Sequence, residues 1–193
     1  MVSQALPPEP MGVSDSVITR MGRGRQHADR ALIVGHVTAI LRGPDNKIKQ
    51  VEEGYNLITD NGDERIARRI FDDAIVIVTG MRLGTGVTAA AKNGAGANIV
   101  TYITGSQEAL DAAATHSDLG AGLGYRATHI CTWDAGDVTN SAIAEIVLTD
   151  ETPITDVAGA ATNVVARFVF PSIIDKKATD GLEVTWNLDL LGA

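Results

Sequence analysis

The residues that could do chemistry are few, and their spacing decides what they can do. Gly84-Thr85-Gly86, with Lys92 downstream, invites a phosphate-loop reading. Such a loop needs GxxxxGK followed by Ser or Thr where a helix opens, but Ala91 precedes Lys92 and Asn93 follows it. The dinucleotide fingerprint fails as well, because no glycine lies three positions after Gly86. A tight turn between strands is the favoured reading. His129 and Cys131 lie two apart, so on a strand they share a face and could act as base and nucleophile. The same spacing also simply sets two side chains on one sheet face, and that reading is preferred. The other histidines are His27, His36 and His116, and no pair has helical metal-ligand spacing. Cys131 is the single cysteine, which excludes an internal disulfide and a zinc site built on several cysteines. The acidic stretches 60–64, 134–137 and 150–156 all lack the calcium-loop pattern. No catalytic residue, metal or cofactor is therefore expected.

The elements that must position these residues read mostly as strands. Val37, Ala39 and Leu41 alternate with His36, Thr38 and Ile40, then Gly43-Pro44-Asp45-Asn46 turns the chain into a return strand over 47–51. A helix is expected over 62–72. Asn61 and Glu64 resemble a capping pair, and Ile66 and Ile70 share a face predicted to be core. Ile75-Val76-Ile77-Val78 reads as a buried strand, 98–104 as another, and 105–116 stays ambiguous. Residues 125–133 alternate, with Trp133 assigned to the core. Runs over 142–148 and 163–170 have strand length, Phe168 is taken as core, and Pro171 is expected to close the second run. The clearest alternation is Leu182, Val184, Trp186, Leu188 and Leu190 against Glu183, Thr185, Asn187 and Asp189. One wet and one buried face follow from it, with Val184, Trp186 and Leu188 in the core. Many short strands, one helix and few crossover helices predict a mainly β fold: an antiparallel β-sandwich with one short α-helix and an extended N-terminal arm.

Composition sets the outer limits. The 193 residues carry 16 Lys+Arg against 24 Asp+Glu, a net charge of -8, and aromatics are only 4%. So acidic a chain is poorly suited to wrapping nucleic acid. No apolar run reaches the roughly 20 residues that cross a bilayer as a helix, and no signal-peptide pattern opens the chain. The charge is uneven. Residues 1–30 hold Arg20, Arg23, Arg25 and Arg30 against Glu9, Asp15 and Asp29, with Pro7, Pro8 and Pro10, so this stretch is +1 and the remainder -9. We read 1–30 as an arm that cannot bury enough surface to fold alone and 31–193 as the body. The four arginines are the candidate anchoring contacts.

The order of motifs resembles that of a group of tailed-bacteriophage virion proteins. The matching pieces are Asn56-Leu57-Ile58-Thr59 before a helix with Ile66-Ala67, then Met81-Arg82-Leu83-Gly84-Thr85-Gly86 and Lys92-Asn93-Gly94-Ala95-Gly96 with Thr101-Tyr102. Thr132-Trp133-Asp134-Ala135-Gly136, Ala144-Glu145 and Val184-Thr185-Trp186-Asn187 follow. The likeness covers about residues 36–191 and leaves out the arm. It implies a non-enzymatic structural component of the virion, tail or tail-fibre-associated. Its partners would be other virion proteins and further copies of itself, with no nucleic acid and no membrane. Head decoration is the alternative placement, a receptor- or glycan-binding domain a further one, and a cell-wall hydrolase the enzymatic rival.

Overall fold

The computed structural model describes residues 32–72, 74, 78–150 and 164–191. The expected arm with Arg20, Arg23, Arg25 and Arg30, and the expected strand residues Ile75, Val76 and Ile77, lie outside the described residues. Among the described residues, nine strands and one α-helix follow in order: β1 (Leu32–Arg42), β2 (Ile48–Ile58), α1 (Asp60–Arg69), β3 (Gly80–Gly84), β4 (Glu108–Ala109), β5 (Thr115–Asp118), β6 (Tyr125–Trp133), β7 (Asn140–Thr149), β8 (Val164–Lys176) and β9 (Gly181–Leu191). The protein is mainly β, and its strands form one antiparallel sheet curled into a half-barrel, ordered β4-β3-β7-β8-β2-β1-β9-β6-β5.

Turn chemistry sets the register of the first hairpin. Asn46 takes φ 59°, a left-handed conformation that Asn tolerates better than most residues. The Gly43 N–H donates to the Lys47 carbonyl at 2.9 Å. β1 then pairs with β2 on one side and β9 on the other, and β9 pairs with β6. Because side chains alternate, these registers place Val37, Trp186 and His129 in one row across the concave face. Ala39, Val184 and Cys131 form the next row, and Leu41, Leu182 and Trp133 the one after. Trp133, Val184 and Trp186 are fully buried, and Phe168 and Leu188 nearly so. Full burial of a large aliphatic side chain contributes about 1.5–3 kcal/mol.

The sheet bends between β2 and β8, whose ladder extends only over Leu57–Arg167 and Ile58–Ala166. Beyond it the strands diverge. Phe168 fills the space over Gly54, where a Cβ would stand 2.9 Å from the ring. Glu52 accepts the Ser172 N–H at 3.1 Å, and Gln50 donates to the Ile173 carbonyl. Pro171 does not end the strand as expected. It sits where the β7–β8 register shifts, between the pairs Glu145–Val169 and Ile143–Ile174, and a bulge of this kind tolerates the missing N–H. At the far end, the Asp111 N–H following β4 donates to Ile130 of β6 at 2.9 Å, and its carboxylate accepts Thr132 N–H and Oγ1–H. The two ends of the sheet therefore meet on β6, which leaves less strand edge open to water.

Two further expectations need correction. The helix starts at Asp60 and is capped by Thr59, whose Oγ1 accepts the Gly62 N–H at 3.0 Å. Asn61 is not the cap, and its Nδ2 donates to the Val164 carbonyl instead. Ile66 is partly buried against the core, but Ile70 is 86% exposed, because the helix ends at Arg69 and its last turn passes beyond the sheet. Residues 98–104 are not a strand: they contribute one isolated bridge, Gly84–Tyr102.

Candidate functional site

The densest polar centre lies on the outer face of β3, β7 and β8, beneath residues 85–102. Strand alternation brings Arg82, Gly84, Glu145, Val147 and Arg167 to that face. Glu145 and Arg167 are both fully buried, and Glu145 Oε2 lies 2.7 Å from the Arg167 terminal nitrogen and 2.9 Å from Nε. Glu145 Oε1 accepts the N–H groups of Gly86, Val100 and Thr101 at 2.9–3.0 Å. Arg167 donates onward to the Gly96 carbonyl at 3.1 Å. One carboxylate thus gathers three backbone donors and a guanidinium, which is what a charge needs in order to be tolerated in the interior.

The glycines make room for this group. A Cβ on Gly84 would stand 2.5 Å from Glu145 Oε1, and one on Gly86 2.4 Å. The Gly84-Thr85-Gly86 run therefore admits a carboxylate of the same chain. Lys92 pairs with Asp63 of α1, and Asn93 donates to Asp60, so the Lys92 loop is tied to the helix start. Arg82 is buried with its guanidinium 5.8 Å from the Tyr102 ring centroid, a cation–π arrangement.

His129 and Cys131 do share a concave face, as their spacing predicts, but each bonds to a different element. His129 Nδ1 lies 3.3 Å from the Trp186 carbonyl, so Nδ1 carries the proton. Burial holds its pKa below the ordinary value. Cys131 Sγ donates to the Ala109 carbonyl at 3.3 Å, and burial together with Asp111 and Glu108 pushes its thiol far up, so it stays protonated at neutral pH. Trp133 Nε1 donates to the Ser106 carbonyl at 3.0 Å, and Trp186 Nε1 to Asn56 Oδ1 at 3.1 Å.

A second buried charge was not foreseen. Lys176 is fully buried, donates to the Asp134 carbonyl at 2.8 Å, and has its pKa lowered by burial against the opposing pull of Asp137, Asp180 and Asp134. Beside it Asp180 accepts Lys49 Nζ at 2.5 Å and the Lys177 N–H at 3.0 Å. Arg167 and Lys176 escaped the sequence reading, and Glu145 entered it only as part of a motif, with no role assigned. The one signal for the pair was a charge at the same parity in each of two otherwise apolar strand runs. Among the described residues, no three His, Cys, Asp or Glu side chains converge on a metal position, and no helix is long and apolar enough to cross a membrane.

No protein-family model, curated protein or solved structure matches the chain.

Proposed function

We propose that this chain is a non-enzymatic structural protein of a tailed-bacteriophage virion, tail or tail-fibre-associated. It assembles through its N-terminal arm and its body. The body is read as a flattened β-sandwich in which β1, β9 and β6 oppose β3, β7 and β8 across one shared core. One observation carries the reading. The polar groups of the motifs behind the resemblance bond to other groups of the same body, some buried and some at its surface. Thr59 caps α1, Lys92 and Asn93 hold its first turn, Gly86 and Thr101 feed Glu145, and Trp133 and Trp186 bond to backbone and to Asn56. Motifs used in this way maintain a rigid building block.

Immunogold labelling of a tag placed after Ala193 tests the placement on intact particles. Gold on the tail is the expected result. Gold on the head would replace the tail by the decoration role, and unlabelled particles with the tagged protein left in the lysate would overturn the virion reading. A zymogram on host cell wall tests the rival: a cleared band abolished by His129→Ala would make the chain an enzyme.

A further inference from the structure

β5 stands at one end of the sheet order, and only β6 pairs with it. Its four residues, Thr115-His116-Ser117-Asp118, are all exposed. Along an antiparallel pair, every second residue turns its N–H and C=O away from the neighbouring strand. The Leu119 N–H donates to the Gly124 carbonyl and the Asp111 N–H to the Ile130 carbonyl, so the even-numbered residues of β6 face β5. In the β5–β6 register those residues meet Thr115 and Ser117. His116 and Asp118 therefore turn their backbone groups outward, to an edge that pairs with no described strand. Neither side chain is held by an opposite charge. Asp118 Oδ1 accepts the Gly120 N–H at 2.8 Å, and His116 bonds to no side chain among the described residues.

We propose that this edge pairs antiparallel with β5 of a second copy, about a twofold axis through Ser117. Backbone bonds form only where outward residues meet outward residues, and charge then chooses among the registers. Setting His116 against His116, or Asp118 against Asp118, puts like groups opposite each other, which is unfavourable. With Ser117 on the axis, His116 of each copy faces Asp118 of the other, and the outward N–H and C=O groups of both residues are all paired. The edge is thus complementary to itself in charge and in hydrogen bonding, which selects a second copy over an unrelated strand. On the same face the Asp118 row runs on through Tyr125 and Leu190, which are 57% and 49% exposed, so apolar surface flanks the contact. The inference deepens the assembly role proposed above, on which its biological use rests: the pair is the unit that residues 1–30 join to other virion proteins.

A disulfide tests the register. At the axis the two Ser117 residues form a non-hydrogen-bonded pair with Cα atoms about 4.5 Å apart, within reach of a disulfide. Position 115 is exposed too, but its two copies would lie roughly 13 Å apart. Full-length Ser117→Cys and Thr115→Cys chains are oxidised with copper–phenanthroline, and covalent dimer is followed on non-reducing gels; the native Cys131 is buried. Dimer is expected to form roughly tenfold faster from Ser117→Cys. Equal rates, or no dimer, would overturn the proposal. Charge gives a second readout, by analytical ultracentrifugation of chains that keep Ser117. His116→Asp sets carboxylates face to face and should weaken self-association roughly tenfold or more. Adding Asp118→Lys should restore it, which a merely structural loss would not allow. Unchanged association in the single variant, or no recovery in the double, would overturn the proposal as well. A protein missing from particles whose Ser117→Cys chain still joins would refute the virion reading alone. One built into particles without joining at position 117 would refute the pairing alone.

Discussion

Glu145 stands 22 residues from Arg167 in the chain, yet the two share a buried ion pair and position the loop above them. Removing one partner leaves the other charge buried and alone, which costs about 3–5 kcal/mol. Glu145→Ala is therefore expected to lower the unfolding free energy, read from urea melts, by an amount in that range. Glu145→Gln, which keeps an acceptor for Gly86, Val100 and Thr101, should lose less. Equal losses would show that the charge contributes nothing. His129 gives a pH dependence of definite sign. Its folded pKa lies below the ordinary 6.5 because burial disfavours the imidazolium, so the unfolded chain binds the proton more readily. The stability it contributes is present above about pH 6.5 and is lost as pH falls from there toward the folded pKa. Urea melts at pH 7.5 and 5.5 should show a larger loss for the wild type than for His129→Gln. An identical loss would mean that His129 does not titrate in this window.

At the scale of elements, the parts legible in the sequence are those whose pattern is local. The alternation in β9 and β6 places Val184, Trp186, Leu188 and Trp133 as the structure does, and Gly43-Pro44-Asp45-Asn46 marks the hairpin turn. Features decided by distant contacts were not legible. β2 extends through Glu52, Glu53 and Gly54, an unpromising strand sequence, because β1 pairs along its length and Phe168 needs the space over Gly54. β5 is wholly polar and exposed, and pairing with β6 alone makes it a strand. The helix cap falls on Thr59, two residues before the local pattern suggests. There Oγ1 serves both the Gly62 N–H and the Val164 and Val165 carbonyls of β8. Gly62 fits closely against β8, since a Cβ would lie 2.2 Å from the Val165 carbonyl oxygen. Thr59→Ala should cost about 1–2 kcal/mol and Thr59→Ser far less, as read by thermal melting. An Ala variant as stable as the wild type would move the cap elsewhere.

Across the described residues, the sheet closes toward itself where Asp111, after β4, bonds to β6, and it carries buried charge on Glu145, Arg167 and Lys176. Such a body has part of its strand edge covered, and the proposed function assigns the joining of units to the segment 1–30. The charge is uneven, with four arginines and a net +1 in that segment and the acidic surplus on the body. The most direct measurement of this central claim is the copy number of the protein in purified particles, by quantitative mass spectrometry, when the phage encodes a chain lacking residues 1–30. A full-length chain with Arg20, Arg23, Arg25 and Arg30 all changed to Ala serves alongside it. The account predicts soluble protein in the lysate and a loss of at least tenfold from particles for the deletion, with a smaller loss for the arginine variant. Wild-type copy number in particles for the deleted chain would contradict it.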